Sequence, residues 1–192
     1  VTNEVEGPTD IQLTGNKQVN ENMSVGYVVG TLSATAGDSD VFTFSVNDTT
    51  NFMIDGNFLK TNAKFDYETK SSYSITITVQ DGNGESATKP FDITVVDVNE
   101  APHTMTLSSN ILTAGSDKLT SIGELEVTDD AGDTISWSVD EVDDTPHFTI
   151  VVDPTESKKA TLKSNKVIGT AQTKTITVTA TESGGLNVSN TF

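Results

Sequence analysis

The chain has 192 residues and a formal net charge of −17, with 28 acidic residues, 11 basic residues and no cysteine. Every basic residue is a lysine, and a strongly acidic chain without arginine is a poor match for nucleic acid, whose phosphates are contacted largely by Lys and Arg. The lack of cysteine excludes disulfides and thiolate metal sites. Without an apolar run of about 18 residues, no membrane insertion is expected.

Short alternating strands predict an all-β first half. The alternating apolar stretches lie at residues 11–13, 28–34, 42–46, 52–54, 58–59, 73–79 and 91–95. Asp55-Gly56 is a strong hairpin-turn signal, and Asp81-Gly82-Asn83-Gly84 predicts the turn before the last strand. Seven short strands in about 95 residues are typical of a Greek-key β-sandwich.

This half ends at Val95-Val96-Asp97-Val98-Asn99-Glu100-Ala101-Pro102. Proline cannot donate to a sheet ladder and favours an extended residue before it, so strand pairing should stop here while the chain continues. Closely spaced oxygen side chains at such a junction suit Ca²⁺, which takes about 6–8 oxygen ligands. The stretch is interpreted either as a calcium-binding linker between two β domains or as a polar linker without a metal.

The second half repeats this plan, which indicates stacked modules. Ile122-Gly123-x-Leu125-x-Val127 corresponds to Val29-Gly30-x-Leu32-x-Ala34, and Ser183-Gly184-Gly185 corresponds to Gly82-Asn83-Gly84. The alternating stretches 135–139 and 176–180 correspond to the strands at 42–46 and 73–79. Trp137, the large residue of a central strand, is expected in the core.

Five motifs between residues 8 and 102 occur in an order that resembles a cadherin repeat, in the form found in large bacterial surface proteins. They are Glu21-Asn22, Val28-x-Gly30-x-Leu32-x-Ala34, Phe65-Asp66-Tyr67-Glu68, the 73–81 strand with its Gly-rich turn, and Asp97-x-Asn99-Glu100-x-Pro102. The resemblance implies an all-β fold of two tandem Greek-key, cadherin-like β-sandwich domains, end to end, with about seven strands each. The expected boundaries are 1–7 for the tail of a preceding linker, 8–98 for the first domain, 99–102 for a calcium-binding linker, and 103–192 for a divergent second domain.

The resemblance also implies a calcium cluster at the base of the first domain. The candidate ligands are the side chains of Glu21, Asp66, Glu68, Asn99 and Glu100 and the backbone carbonyl of Val98. Asp66 and Glu68 are two residues apart, so in an extended segment their side chains should point the same way. Ala101-Pro102 follows Glu100 directly, so the linker is one residue shorter than usual and one of its ligands is in question.

The second domain should complete this cluster. Asp129 fits the first position of the family's Asp-x-Asp loop, Ala131 occupies the second, and Asp130 is a less well placed substitute. Glu182 stands where Asp81 stands in the first domain. Fewer or weaker ions than a full three-ion cluster are therefore expected.

Expectations differ for the outer ends of the two domains. A second group of candidate ligands, at the upper end of the first domain, comprises Asn3, Glu4, Asp38 and Asp81. The far end of the second domain has no counterpart of Glu21-Asn22 or of Asp66-x-Glu68 and should be calcium-poor. Its last strand is expected to be truncated, with the parent sequence continuing into a further strand and acidic linker, so residues 185–192 should fray or pair with a neighbour.

The leading functional hypothesis is a non-catalytic, calcium-stiffened rod or spacer from a bacterial extracellular adhesin or cell-surface protein. Its expected partners are neighbouring repeats of the same polypeptide and, by analogy with the family, a cell-surface glycan or protein. The alternative is a carbohydrate-binding accessory module of a secreted polysaccharide-degrading enzyme, which would need an exposed aromatic platform. Enzymatic activity is not expected, because His103 and His147 each lie beside a proline in a predicted loop, with no nucleophile elbow or phosphate loop nearby.

Overall fold

The computed structural model describes residues 6–37, 41–141 and 146–192, and the chain divides into two compact units, Val1–Val98 and Asn99–Phe192. The strands of the first unit are β1 (Thr9–Thr14), β2 (Gln18–Asn20), β3 (Val28–Thr35), β4 (Phe42–Val46), β5 (Phe52–Asp55), β6 (Phe58–Thr61), β7 (Ser72–Asp81) and β8 (Ser86–Val96). Those of the second unit are β9 (His103–Leu107), β10 (Ser121–Thr128), β11 (Ile135–Glu141), β12 (Phe148–Val152), β13 (Lys159–Ser164), β14 (Ile176–Glu182) and β15 (Asn187–Thr191). Within the described ranges no helix is long and apolar enough to cross a membrane.

Two four-stranded sheets form the first unit, in the orders β1-β3-β6-β5 and β2-β8-β7-β4. Side chains of a strand point alternately to its two faces, and alternate residues of β7 are accordingly buried, from Tyr73 to Asp81. Phe52, Phe65 and Tyr73 form an aromatic group in this core, with ring centroids 4.7 to 5.6 Å apart. The all-β sandwich architecture predicted from the alternating pattern is confirmed.

The strand β2 was not predicted. It has only three residues, Gln18–Asn20, with one apolar side chain, and so short a segment shows no alternating pattern that would indicate a strand. It pairs in parallel with the end of β8, where Val19 lies opposite Val95, and Val19 is 1% exposed. The short strand therefore covers the edge of β8 and fills the core next to it.

The second unit repeats this arrangement, and its described residues form one strand fewer. Its sheets have the orders β12-β13-β10-β9 and β11-β14-β15. In the described part of the unit no strand pairs with the outer edge of β15, the position that β2 takes beside β8. Trp137, predicted to be core, packs against the core but is only half-buried, and its indole N–H donates to the carbonyl oxygen of Ser157 at 2.7 Å.

The core of the second unit is less filled at one end. Ile168 follows β13 at the spacing at which Phe65 follows β6, and Lys174 precedes Glu182 at the spacing at which Tyr73 precedes Asp81. Two of the three aromatic residues thus have smaller or polar counterparts. An open pocket of about 430 Å³ lies there, lined by apolar side chains such as Leu107, Ile122 and Phe148 and by the largely polar segment 170–175.

Candidate metal centre

Glu21 is one of the two most deeply buried of the described candidate ligands, since Glu21 and Glu182 each have 3% of their surface exposed. Glu21 follows β2, and its backbone N–H donates to the carbonyl of Val96 at 3.1 Å. Its Oε1 accepts the backbone N–H of Val98 at 2.9 Å and its Oε2 accepts that of Tyr67 at 2.8 Å. The Glu21 carboxylate therefore links the segment after β6, through Tyr67, to the end of the first unit, through Val98.

The expectation that Asp66 and Glu68 lie in an extended segment is wrong. Residues 67–69 form a turn, because the N–H of Lys70 donates to the Asp66 carbonyl at 3.0 Å and the N–H of Thr69 donates to Asp66 Oδ1 at 2.8 Å. Aspartate side chains favour such turns because they accept backbone N–H groups a few residues further on.

Glu21, Asp66 and Glu68 nevertheless converge. Each offers a carboxylate oxygen, and these oxygens all lie within 4.8 Å of one another. Glu21 is buried, while Asp66 and Glu68 are exposed. Three carboxylates at this spacing repel one another, and a donor set made only of oxygens matches the preference of Ca²⁺.

The linker is fastened at both ends by carboxylates of the candidate ligand set. Val98, at the end of the first unit, donates its N–H to Glu21. In the second unit the N–H of Glu100 donates to Asp130 Oδ2 at 3.0 Å, and the Asn99 amide donates to Glu182 Oε1 at 3.3 Å. Carboxylate oxygens of Glu100 and Asp130 also lie within 4.8 Å of each other.

Asp129 and Asp130 lie in the loop after β10, at residues 129–133, called the acidic loop below. Asp130 is 8% exposed. Both carboxylate oxygens of Asp129 are buried and have no hydrogen-bond partner among the described residues, and burial raises the pKa of this carboxyl above the ordinary Asp value. A buried carboxylate with two unpaired oxygens fits a cation that is bound from outside the polypeptide.

Asp81 and Glu182 occupy corresponding strand ends but differ in how many oxygens they leave unpaired. Asp81 Oδ1 accepts the N–H groups of Asn83 and Glu85 at 2.9 and 3.0 Å, whereas its buried Oδ2 has no partner in the described part of the chain. The longer Glu182 reaches the backbone with both oxygens: Oε1 accepts Leu186 N–H at 2.9 Å and Oε2 accepts Gly184 N–H. These two bonds lower the pKa of Glu182.

The remaining candidate ligands are only partly placed. Asn3, Glu4 and Asp38, predicted at the upper end of the first unit, lie outside the described residues, so Asp81 alone represents that group. Lys158 is a residue of this region that the sequence did not single out. Its ammonium donates to the backbone carbonyls of Asp129, at 2.6 Å, and of Asp130.

Solved structures of cadherin extracellular repeats share this fold. The PcdhgB3 EC1-4 fragment matches with a TM-score of 0.73 and 22% identity, over 97% of this chain and 48% of its own. Human protocadherin-24 EC1-2 gives 0.68 and 18%, over 97% and 93%, and mouse cadherin-23 EC22-24 gives 0.63 and 19%, over 97% and 63%.

This chain thus spans about half the length of the PcdhgB3 fragment. No protein-family model matches the chain, and neither does any curated protein. Because the identities with the solved structures are low, the likeness concerns the fold: the chain is built as two tandem cadherin-like β-sandwich repeats.

Proposed function

We propose that this chain is a calcium-binding, calcium-stiffened repeat segment of a bacterial extracellular adhesin or cell-surface protein, and that it acts as a rod or spacer. The observation that carries the proposal is the convergence of Glu21, Asp66 and Glu68, whose carboxylate oxygens lie within 4.8 Å of one another. A bound Ca²⁺ would offset their mutual repulsion. The carboxylate of Asp129, whose two buried oxygens have no hydrogen-bond partner among the described residues, supports the same interpretation in the second unit.

The stiffening role rests on the linker. Glu21 holds Val98 within the first unit and Asp130 holds Glu100 within the second, and only Asn99 separates these two residues. Two successive peptide units span at most about 7 Å, so the covalent chain keeps the two fastened ends close. An ion that takes oxygens from this stretch would restrict its backbone freedom. The expected partners along the rod are the neighbouring repeats.

An extracellular setting suits such a site. Calcium sites in extracellular modules bind with Kd values of about 10⁻⁴–10⁻³ M, and a cluster with two of three carboxylates exposed belongs in that weak range. A structural role also explains His147, whose Nδ1 lies 3.0 Å from Glu141 Oε2. Glu141 Oε1 accepts the N–H groups of His147 and Phe148, so the pair joins the end of β11 to the start of β12. His103, predicted to lie in a loop, begins β9.

Calcium titration by calorimetry tests the proposal. Wild-type protein should take up Ca²⁺ with a Kd of about 10⁻⁴–10⁻³ M, and Glu68→Ala and Asp129→Asn should each weaken binding by about tenfold or more. Asp92→Asn is the matched control, because Asp92 is an exposed acid on β8 that accepts the Ser74 hydroxyl at 2.6 Å. Equal affinities in Asp92→Asn and the ligand variants would contradict the ligand assignment.

A second candidate function, carbohydrate binding, is favoured by a groove on the first unit. Tyr27 is 40% exposed beside an open groove of about 450 Å³, which is also lined by Thr14, Asn16, Gln18 and Thr31. None of its described lining residues is charged, although the chain as a whole carries −17. An aromatic ring beside hydroxyl and amide groups suits a neutral sugar, whose rings stack on aromatic faces and whose hydroxyls form hydrogen bonds.

An NMR titration with cellotetraose, xylotetraose and mannotetraose tests this second function. Binding at the groove should shift the amide signals of residues 14–18 and 27–31, and Tyr27→Ala should abolish the shifts. Phe58→Ala is the control, because Phe58 is 41% exposed and lies outside the groove lining. Shifts that survive in Tyr27→Ala, or no shifts with any of the three sugars, would count against carbohydrate binding at the groove.

A further inference from the structure

Lys158 is placed beneath the acidic loop by the sheet itself. It directly precedes β13, and its carbonyl accepts the N–H of Val127, near the end of β10, at 3.1 Å. The acidic loop continues from β10. The Lys158 ammonium therefore reaches the carbonyl oxygens of Asp129 and Asp130 while its own backbone stays paired to the strand that leads into the loop.

The charges around Lys158 are predominantly negative. The loop carries Asp129, Asp130 and Asp133, and both carboxylate oxygens of Asp129 are buried without a hydrogen-bond partner in the described residues. Several groups act on the pKa of Asp129. Burial, the largest effect, raises it; the backbone N–H of Asp130 and the charge of Lys158 lower it; and the charges of Asp133 and Asp130 raise it. A single ammonium thus offsets part of the repulsion within the loop.

The contacts also fix the shape of the loop. Two consecutive carbonyl oxygens point at one ammonium, which constrains the backbone of both residues whose side chains are candidate ligands. A hydrogen bond from a charged donor to a carbonyl contributes more stability than one between neutral groups. A cation-binding loop that is shaped in advance loses less conformational freedom when the ion binds.

We propose that Lys158 is a positioning residue and the built-in counter-charge of the acidic loop, so that Lys158 and a bound Ca²⁺ stabilise the second unit in partly redundant ways. The expected redundancy with Ca²⁺ rests on the proposed calcium function. The role of Lys158 in the ion-free loop does not: there its positive charge offsets the repulsion between the carboxylates.

Lys158→Met removes the charge and keeps an unbranched side chain. Urea unfolding of the full chain, followed by the fluorescence of Trp137, reports on the second unit, since Trp137 is the single tryptophan and bonds to Ser157 next to Lys158. In EDTA at low salt we expect a lower unfolding midpoint than in wild type. In saturating Ca²⁺ we expect the midpoint of Lys158→Met to fall below that of wild type by roughly half as much or less.

Lys159→Met is the matched control in the same unit. Its ammonium pairs with Glu156 at 3.1 Å and with Glu126 at 3.7 Å, on exposed side chains, and exposed pairs contribute little. The small decrease in the urea midpoint of Lys159→Met should be the same with and without Ca²⁺. Lys158→Arg, which keeps the positive charge, should retain the calcium response of wild type.

A salt series in EDTA tests the charge role independently of calcium. Raising NaCl from about 0.05 M to about 0.5 M screens repulsion between carboxylates, so part of the Lys158→Met loss should be recovered. An equal loss in low salt, in high salt and in Ca²⁺ would make Lys158 an ordinary structural lysine and overturn the inference, as would no loss at all. An absent calcium effect in wild type would instead overturn the proposed function, while the salt series would still judge Lys158.

Discussion

Glu21 and Asp129 are both acidic residues with buried oxygens, but their surroundings give them different roles. Glu21 uses its two oxygens on the N–H groups of Val98 and Tyr67, so it is both a structural acceptor and a candidate ligand. Asp129 leaves both oxygens without a partner among the described residues. We therefore expect the first to stabilise the apo protein and the second to weaken it.

Glu21→Ala should destabilise the first unit by about 3 kcal/mol even in EDTA, because two backbone N–H groups lose a charged acceptor. Glu21→Gln should cost less, about 1 kcal/mol, since the amide retains one oxygen acceptor. Urea unfolding followed by circular dichroism measures both. A negligible loss in Glu21→Ala would show that the two hydrogen bonds to Glu21 do not stabilise the unit.

Asp129→Asn should raise the stability of the apo second unit by about 1 kcal/mol at neutral pH, because it removes a buried charge that Lys158 offsets only in part. The pKa of Asp129 is raised by burial, so the folded state binds the proton more tightly than the unfolded chain. Stability from this group is present at low pH and declines as the pH rises from the ordinary Asp pKa through the raised value.

The pKa of Glu182 is lowered in the folded protein, so its effect on stability changes with pH in the opposite direction to that of Asp129. Its contribution is present above the ordinary Glu pKa and is lost as the pH falls through the lowered folded pKa. A pH series of urea midpoints in EDTA should therefore show the decline with rising pH disappear in Asp129→Asn, while the loss at the acid end remains. A variant curve parallel to that of wild type would contradict this assignment.

At the scale of elements, the two units differ most at one sheet edge. The end of β8 is paired on both sides, with β2 along residues 94–96 and with β7 along most of its length. In the described part of the second unit, β15 pairs only with β14. The neighbouring pocket of about 430 Å³ means that the same end of the core is less densely packed.

Hydrogen exchange should reflect this difference. Amides of β15 should exchange faster than those of β8 at residues 91–96, because an edge strand beside a poorly filled core opens at lower free-energy cost. Native-state exchange followed by NMR measures both strands in one sample. Equal protection of the two strands would show that the second unit closes its sandwich in another way.

The sequence predicted the elements whose patterns are long and local. Alternating residues gave the strands on either side of the Gly-rich turns, and the order of motifs indicated the fold. The turn at residues 67–69 escaped prediction because it depends on which backbone groups Asp66 accepts. Lys158 escaped it too, because its contacts span 28 and 29 residues and a lone lysine carries no local signal.

At the scale of the whole molecule, the proposed role depends on a linker whose stiffness changes with calcium. Glu68→Ala and Glu100→Ala should therefore loosen the linker without unfolding either unit, since neither side chain belongs to the buried core. Small-angle scattering of these variants in Ca²⁺ should resemble that of wild type in EDTA, whereas Asp92→Asn should resemble wild type in Ca²⁺. Variants that instead melt like core variants would contradict the ligand role.

The proposed role depends above all on calcium binding, and thermal unfolding in Ca²⁺ and in EDTA tests this binding most directly. At about 100-fold excess over Kd, each filled site should add about 2.7 kcal/mol to the free energy of unfolding, so Tm should rise clearly in about 10 mM Ca²⁺ for a Kd near 10⁻⁴ M. Mg²⁺ at the same concentration should raise Tm less, because Mg²⁺ dehydrates reluctantly and demands stricter geometry. An unchanged Tm between Ca²⁺ and EDTA would contradict the account.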